Sequence, residues 1–249
     1  MRIHIKNEKE INSMRKGGKI LAEVLRETCK IAKPGVSTLE LDDFAEALIR
    51  ERGGIPGFKG YSDFPNTLCL GLNEIIVHGI PRADQILKEG DLLTIDCGVI
   101  LDDLYTDAAR TIAIGEVNEE KQKLLEIGAK TLKAGIKAAQ PGVPVNNIGK
   151  AMNKIIKSAG FKVIYDLTGH GVGYRLHEAP VVLNYFEKGK SPILKPGMTI
   201  AIEPIFSTGS HYMETLEDGW TIVSQDLSPS IQIENTVLIT EKGNEILTA

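Results

Sequence analysis

Five side chains in this sequence have the types and settings that bind metal ions: Asp96, Asp107, His170, Glu203 and Glu234. Asp96 and Asp107 flank a candidate turn at Asp102-Asp103, and a two-residue loop there sets residue 98 opposite 107 and residue 96 opposite 109. Both acids then share one face of a hairpin running Leu92 to Ile100 and Tyr105 to Ile114, with Cβ atoms roughly 7 Å apart. They would repel unless a cation lay between them. Glu203 and Glu234 follow later β-rich runs, and four carboxylates converging in a β core cannot all stay charged without counter-ions. His170 lies in Leu167-Thr-Gly-His-Gly-Val-Gly173, where flanking glycines let the backbone approach a site closely. Four oxygen donors and one imidazole suit Mn, Fe or Co better than a thiolate zinc site. Two ions sharing carboxylates would serve hydrolysis, one polarising a carbonyl while both acidify a water.

Taken singly, each residue has a plainer reading. An acid at a strand end is usually a solvated turn residue, and His78 and His177 suit structural roles as well as chemical ones. Trp220 fits a core, Cys69 and Cys97 fit small buried hydrophobes, and Tyr61 and Phe64 beside Pro65 fit the packing of a loop.

The elements that must hold these residues come in two similar sets. Asn7 with Glu10 and Ser37 with Glu40 are capping boxes, and each opens an apolar helical pattern, the first stopped by Pro34-Gly35 and the second by Gly53-Gly54. A second helix pair spans Gln122 to Ala139 and, after Pro141-Gly142, the stretch of Ile148 to Ile156 closed by Gly160. An offset of 107 residues lays Pro34-Gly35-Val36 on Pro141-Gly142-Val143, Leu87-Lys88-Glu89-Gly90 on Leu194-Lys195-Pro196-Gly197, and Ile95-Asp96 on Ile202-Glu203. Matching helix breaks alone could be coincidence; the shared entry to a β run ending in Ile-acid points to duplication. The expectation is one catalytic domain over 1–249, built from halves of approximately 8–115 and 116–249. Each half also carries His-x-x-Pro before its β run, at His78 and His177.

Composition narrows the function classes. The 249 residues are 42% apolar with 29 basic and 33 acidic side chains, a formal charge of −4, so no basic stripe draws the chain to nucleic acid or an anionic membrane. Three scattered cysteines support no disulfide framework. The first ten residues form no secretory leader and no stretch reaches the roughly 18 apolar residues of a membrane span, so a cytoplasmic protein is expected, and with no strong interface segment a monomer is the default.

The combined motifs are similar to those of the type I methionine aminopeptidases, members of the pita-bread metallopeptidases. They are His78-Gly-Ile-Pro81, Ile95-Asp-Cys-Gly-Val99 with Asp107, Gly169-His-Gly-Val-Gly173 with His177-Glu-Ala-Pro180, Pro196-Gly-Met198 with Ile202-Glu-Pro204, Asp218-Gly-Trp-Thr221 and Gln232-Ile-Glu234. The resemblance implies an α+β pita-bread fold, with two pseudo-symmetric αα-β halves forming a central curved antiparallel sheet and helices outside. It implies two divalent ions, Asp96 chelating one, Asp107 and Glu234 bridging, and His170 and Glu203 completing the other. A bridging hydroxide would attack the scissile carbonyl, His78 would hydrogen-bond near the amide nitrogen, His177 would steady the carbonyl and the tetrahedral intermediate, and Glu203 would shuttle the proton. A methionine side chain would lie against Tyr61, Phe64, Cys69 and Trp220, with His78 at the rim. The substrates would be nascent polypeptide N-termini with a small second residue, met at the ribosome. Arg2 is too large for that position, so this chain would keep its own Met1 on intact-mass analysis.

Two features separate the chain from that pattern. Asn235 follows Glu234 where His is common, and the hairpin turns on Asp102-Asp103. Asp107-Ala-Ala-Arg-Thr111 also resembles the Xaa-Pro aminopeptidase and dipeptidase branch, which supplies the alternative reading. His-Gly-Ile-Pro and Asp-Gly-Trp favour the methionine branch, and the 33 positions from His170 to Glu203 leave no room for a type II insertion.

Overall fold

Each of the first three helices begins where a side chain can satisfy its free amides. In the computed structural model, which describes residues 3–249, Asn7 and Glu10 bond reciprocally at the start of α1 (Glu8–Ile31), as do Ser37 and Glu40 at the start of α2 (Thr38–Glu51). Met1 and Arg2, and with them the expectation for the initiator residue, lie outside the described residues. The third helix, α3 (Glu119–Ala138), starts one turn before the expected Gln122, because Asn118 caps it by accepting from the Lys121 amide at 2.9 Å. Its first turn carries Glu119 and Glu120, which favour a helix N-terminus and add nothing to apolar periodicity. The fourth, α4 (Asn146–Ala159), ends at Gly160 with φ 86°.

The first half of the chain contributes β1 (Ile55–Pro56), β2 (Leu68–Leu72), β3 (Ile75–Val77), β4 (Leu92–Leu101) and β5 (Leu104–Ala113). The second contributes β6 (Lys162–Val163), β7 (Gly169–Gly171), β8 (Glu178–Val182), β9 (Thr199–Ile202), β10 (Ile205–Ser207), β11 (Met213–Thr215), β12 (Ile222–Ser224), β13 (Ser230–Gln232), β14 (Asn235–Thr240) and β15 (Gly243–Ile246). All strand pairs are antiparallel, and the apolar faces of α1 and α2 pack on β2, β4 and β5 through Leu21, Leu25, Leu41, Leu70, Ile95 and Val99. In the second half Met152, Ile200, Ile202 and Val237 form a core of their own. No described helix is long and apolar enough to cross a membrane.

The 107-residue offset recurs in the hydrogen bonds. The Gly35 amide donates to the Leu87 carbonyl at 2.9 Å, and the Gly142 amide to the Leu194 carbonyl at 2.8 Å. Isolated bridges join Ser37 to Ile86 and Pro144 to Ile193. β1 pairs Ile55 with Ile100, and β6 pairs Lys162 with Ser207 at the equivalent places. A pattern of entry turns, helix breaks and strand starts has thus folded twice in the same way. The halves meet along β5, where the Glu234 amide donates to the Ala109 carbonyl at 3.0 Å. The Asp107 amide also donates to Thr236 Oγ1 at 2.9 Å, and that hydroxyl donates back to the Asp107 carbonyl at 2.7 Å.

Candidate active site

The hairpin of β4 and β5 turns on Asp102 and Asp103, both left-handed with φ of 50° and 60°, a conformation that aspartate tolerates better than most side chains. Ser13 Oγ donates to Asp102 Oδ2 at 2.6 Å and holds the turn against α1. This two-residue loop sets Gly98 opposite Asp107 and Asp96 opposite Ala109, so each acid faces a residue with little or no side chain. Space is left over that face, and Cys69 of β2, paired with Asp96, points to the same side. Gly98 is required for a second reason: a Cβ there would come within 2.7 Å of the Phe58 ring.

The second half brings three more candidate ligands to this face. His170 is the central residue of β7, Glu203 follows β9 directly, and Glu234 lies between β13 and β14. Single ligand atoms of Asp107, His170 and Glu234 all lie within 4.8 Å of one another. His170 Nε2 is 3.4 Å from Glu203 Oε1 and 3.8 Å from Asp107 Oδ2. Asp96 joins through Gln232, whose Nε2 donates to Asp96 Oδ2 and to Glu203 Oε2, each at 3.2 Å.

Protons alone do not satisfy this arrangement. His170 Nδ1 lies 2.9 Å from the Gly171 carbonyl, which can only accept, so Nδ1 carries the ring proton and Nε2 is a bare lone pair facing two carboxylate oxygens. Asp96 Oδ1, Asp107 Oδ1 and Glu234 Oε1 are buried without a hydrogen-bond partner. Burial raises the pKa of Asp96 to about 7, and burial followed by repulsion from neighbouring acids raises Asp107, Glu203 and Glu234 well above their ordinary range. Burial lowers His170 to about 3, so its imidazole is neutral. Convergent oxygen lone pairs and one imidazole nitrogen fit a divalent metal centre.

That electrostatics has a measurable consequence. Asp96, with its pKa raised to about 7, holds its proton at pH 6 and has lost it by pH 9, and a metal ion must displace that proton, whereas the neutral His170 releases none. Loading the metal-free protein at pH 6 should therefore release protons, and release should be smaller at pH 9. Calorimetry in buffers of different ionisation enthalpy reads this directly. Equal binding with no proton release at pH 6 would contradict it.

Beside the acids lies a cavity of about 100 Å³ lined by Phe58, Tyr61, Phe64, Cys69, His78, Asp96, Asp107, His170, Leu176, His177 and Trp220. Phe64 meets Trp220 edge-on with ring centroids 5.1 Å apart, and His78 meets the same indole at 6.2 Å. Trp220 is aimed by Asp218, whose Oδ1 accepts from the amides of Trp220 and Thr221 at 2.9 and 2.8 Å. This gives the Asp-Gly-Trp-Thr motif a structural cause. His78 follows β3 in a left-handed conformation, φ 58°, and burial lowers its pKa. His177 precedes β8 at the pocket mouth, its ring 4.4 Å from that of His170. All the residues expected from sequence at the metal centre and pocket thus gather in one place.

Phe58 and Leu176 complete the pocket without having been anticipated. Leu176 had a signal in its place beside His177; Phe58 had only its proximity to Tyr61. Gln232 was visible as a motif residue, but its bridging role needed the fold. Lys6 left no signal: its Nζ donates to Glu178 Oε2 at 2.8 Å in a buried pair that anchors the segment beginning β8. Asn235 points away behind Glu234, where its Oδ1 accepts from Arg110 at 2.9 Å, while Arg110 also donates to the Glu234 carbonyl at 2.6 Å. A larger cavity of about 900 Å³ between α1 and α3 is lined by apolar residues and the cations Arg26, Arg110 and Lys133, with no acidic or imidazole side chain to perform comparable chemistry.

The family model for metallopeptidase family M24 matches residues 12–241. The chain is 44% identical over 246 residues to a methionine aminopeptidase of Clostridium acetobutylicum, covering 99% of this chain and 98% of that one. It is 42% identical over 243 residues to methionine aminopeptidase 1 of Bacillus subtilis, covering 98% of each. The crystal structure of the methionine aminopeptidase from Thermotoga maritima superposes with a TM-score of 0.97 at 39% identity, covering 99% of both chains.

Proposed function

The chain belongs to metallopeptidase family M24, and from that premise we infer that it is a methionine aminopeptidase, a hydrolase that removes the N-terminal methionine from polypeptides. The observation that carries this reading is the junction of a buried, metal-suited acid cluster with a largely apolar pocket large enough for one side chain. In our proposal Asp96, Asp107, His170, Glu203 and Glu234 hold two divalent ions, for which Mn, Fe and Co are all chemically suited. When bound, such ions polarise the scissile carbonyl and lower the pKa of water.

The chain's own residues do the rest. Phe58, Phe64, Cys69, Leu176 and Trp220 enclose a methionine side chain, with aromatic and sulfur contacts that favour a thioether. The pocket accommodates one side chain, that of the terminal residue in our proposal. His177 donates from Nε2 to the carbonyl oxygen as charge develops on it. His78 hydrogen-bonds beside the scissile nitrogen, and Glu203 carries a proton to the leaving amine. Nascent N-termini with a small second residue are the proposed substrates, met as they leave the ribosome by a monomeric cytoplasmic enzyme. Three free cysteines suit that reducing setting.

A substrate panel tests the reading. Metal-loaded protein should cleave Met-Ala-Ser in strong preference to Xaa-Pro peptides. Preferential cleavage of the proline substrates would move the chain to the Xaa-Pro branch.

A further inference from the structure

Two imidazoles stand side by side in the site, and their partners demand opposite things of them. His170 Nδ1 faces the Gly171 carbonyl at 2.9 Å, which fixes the ring proton on Nδ1 and leaves Nε2 bare. His177, whose ring centroid lies 4.4 Å from that of His170, faces a hydroxyl: Tyr61 Oη is 3.0 Å from His177 Nδ1. A neutral imidazole has one N–H, so whichever nitrogen accepts, the other must donate. A phenol hydroxyl is the better donor, because its oxygen lone pair is delocalised into the ring.

We propose that Tyr61, beyond lining the pocket, is a positioning residue: its hydroxyl donates to His177 Nδ1 and holds the imidazole with its proton on Nε2, facing the reacting carbonyl. The proposal rests on the role given to His177 above. It makes the two histidines a matched pair of opposite tautomers, one offering a lone pair to a metal ion and the other offering a proton to an oxyanion. The partners lie 116 positions apart, one from each half of the chain, so the contact also ties the halves together across the pocket mouth.

The loop bearing Tyr61 is shaped to present it. Gly60, Ser62 and Asp63 are all left-handed, with φ of 86°, 48° and 69°. Two non-glycine residues in that region are costly, and such a conformation persists where surrounding contacts over-determine it. Here the Gly60 amide donates to the Phe64 carbonyl at 2.8 Å and the Phe64 amide to the Tyr61 carbonyl at 3.0 Å, closing the turn on itself. The rings of Tyr61 and His177 pack with centroids 5.5 Å apart at 60°, so ring contact and hydrogen bond act together.

Tyr61→Phe keeps the ring and the pocket wall and removes only the donor. In zinc-loaded protein with ¹⁵N-labelled histidine, His177 Nδ1 should resonate as an unprotonated, hydrogen-bonded nitrogen, and in Tyr61→Phe it should move toward the position of a free unprotonated nitrogen. The variant's kcat on Met-Ala-Ser should fall roughly three- to tenfold, the scale of one lost hydrogen bond, with little change in KM. A proton on His177 Nδ1 in the unmodified protein, an unmoved resonance in the variant, or an unchanged kcat would each overturn the proposal. Unmodified protein with the expected resonance but no peptide hydrolysis would overturn the aminopeptidase reading while supporting the tautomer assignment.

Discussion

Asp107→Ala should lower kcat/KM for Met-Ala-Ser by more than about 10³-fold without unfolding the protein. Asp107 belongs to the tightest group of candidate ligands, with His170 and Glu234, and its Oδ1 has no protein partner to lose. The two bonds that tie this point of β5 to Thr236 use the Asp107 main-chain amide and carbonyl, which alanine retains. Removing a carboxyl whose burial and closeness to Asp96 and Glu203 are unfavourable also relieves a cost in the metal-free fold. Metal-free Asp107→Ala should thus melt no lower than the metal-free parent, while the gain in melting temperature on adding metal should shrink. An active variant would contradict the role assigned to Asp107.

His177→Ala should separate chemistry from binding. Losing one donor to a developing oxyanion costs about 10²–10³ in rate, so kcat should fall by that amount while KM for methionyl peptides changes little. The methionine-binding walls, Phe64, Cys69 and Trp220 among them, do not depend on the imidazole. The side chain is exposed at the pocket mouth, so no cavity opens in the core. A rise in KM at constant kcat would make His177 a ground-state binding residue instead.

Much of this architecture was legible because it is local or repeated. The two capping boxes, the Pro-Gly breaks and the Asp102-Asp103 turn each act within a few residues, and the turn alone sets the register that places Asp96 and Asp107 on one face. The 107-residue offset was legible because the same hydrogen bonds had to form twice, as the Gly35 and Gly142 amides show. The start of α3 was missed because its first turn is acidic and its cap is a single Asn118. What stayed hidden in the site depends on residues distant in sequence. Gln232 reaches Asp96 across 136 positions and Lys6 reaches Glu178 across 172, and no periodicity marks such contacts. The partner of the Tyr61 hydroxyl left no sign in the sequence, since only the fold brings it to His177.

The acid cluster is, in our proposal, a catalytic metal centre. Protein stripped of metal by chelation and then titrated with Co²⁺ or Mn²⁺, while methionine release from Met-Ala-Ser is followed, tests that directly. We predict no hydrolysis before the ion is added and activity that rises with bound metal to a plateau. Undiminished hydrolysis by verified metal-free protein, or none at full loading, would contradict it.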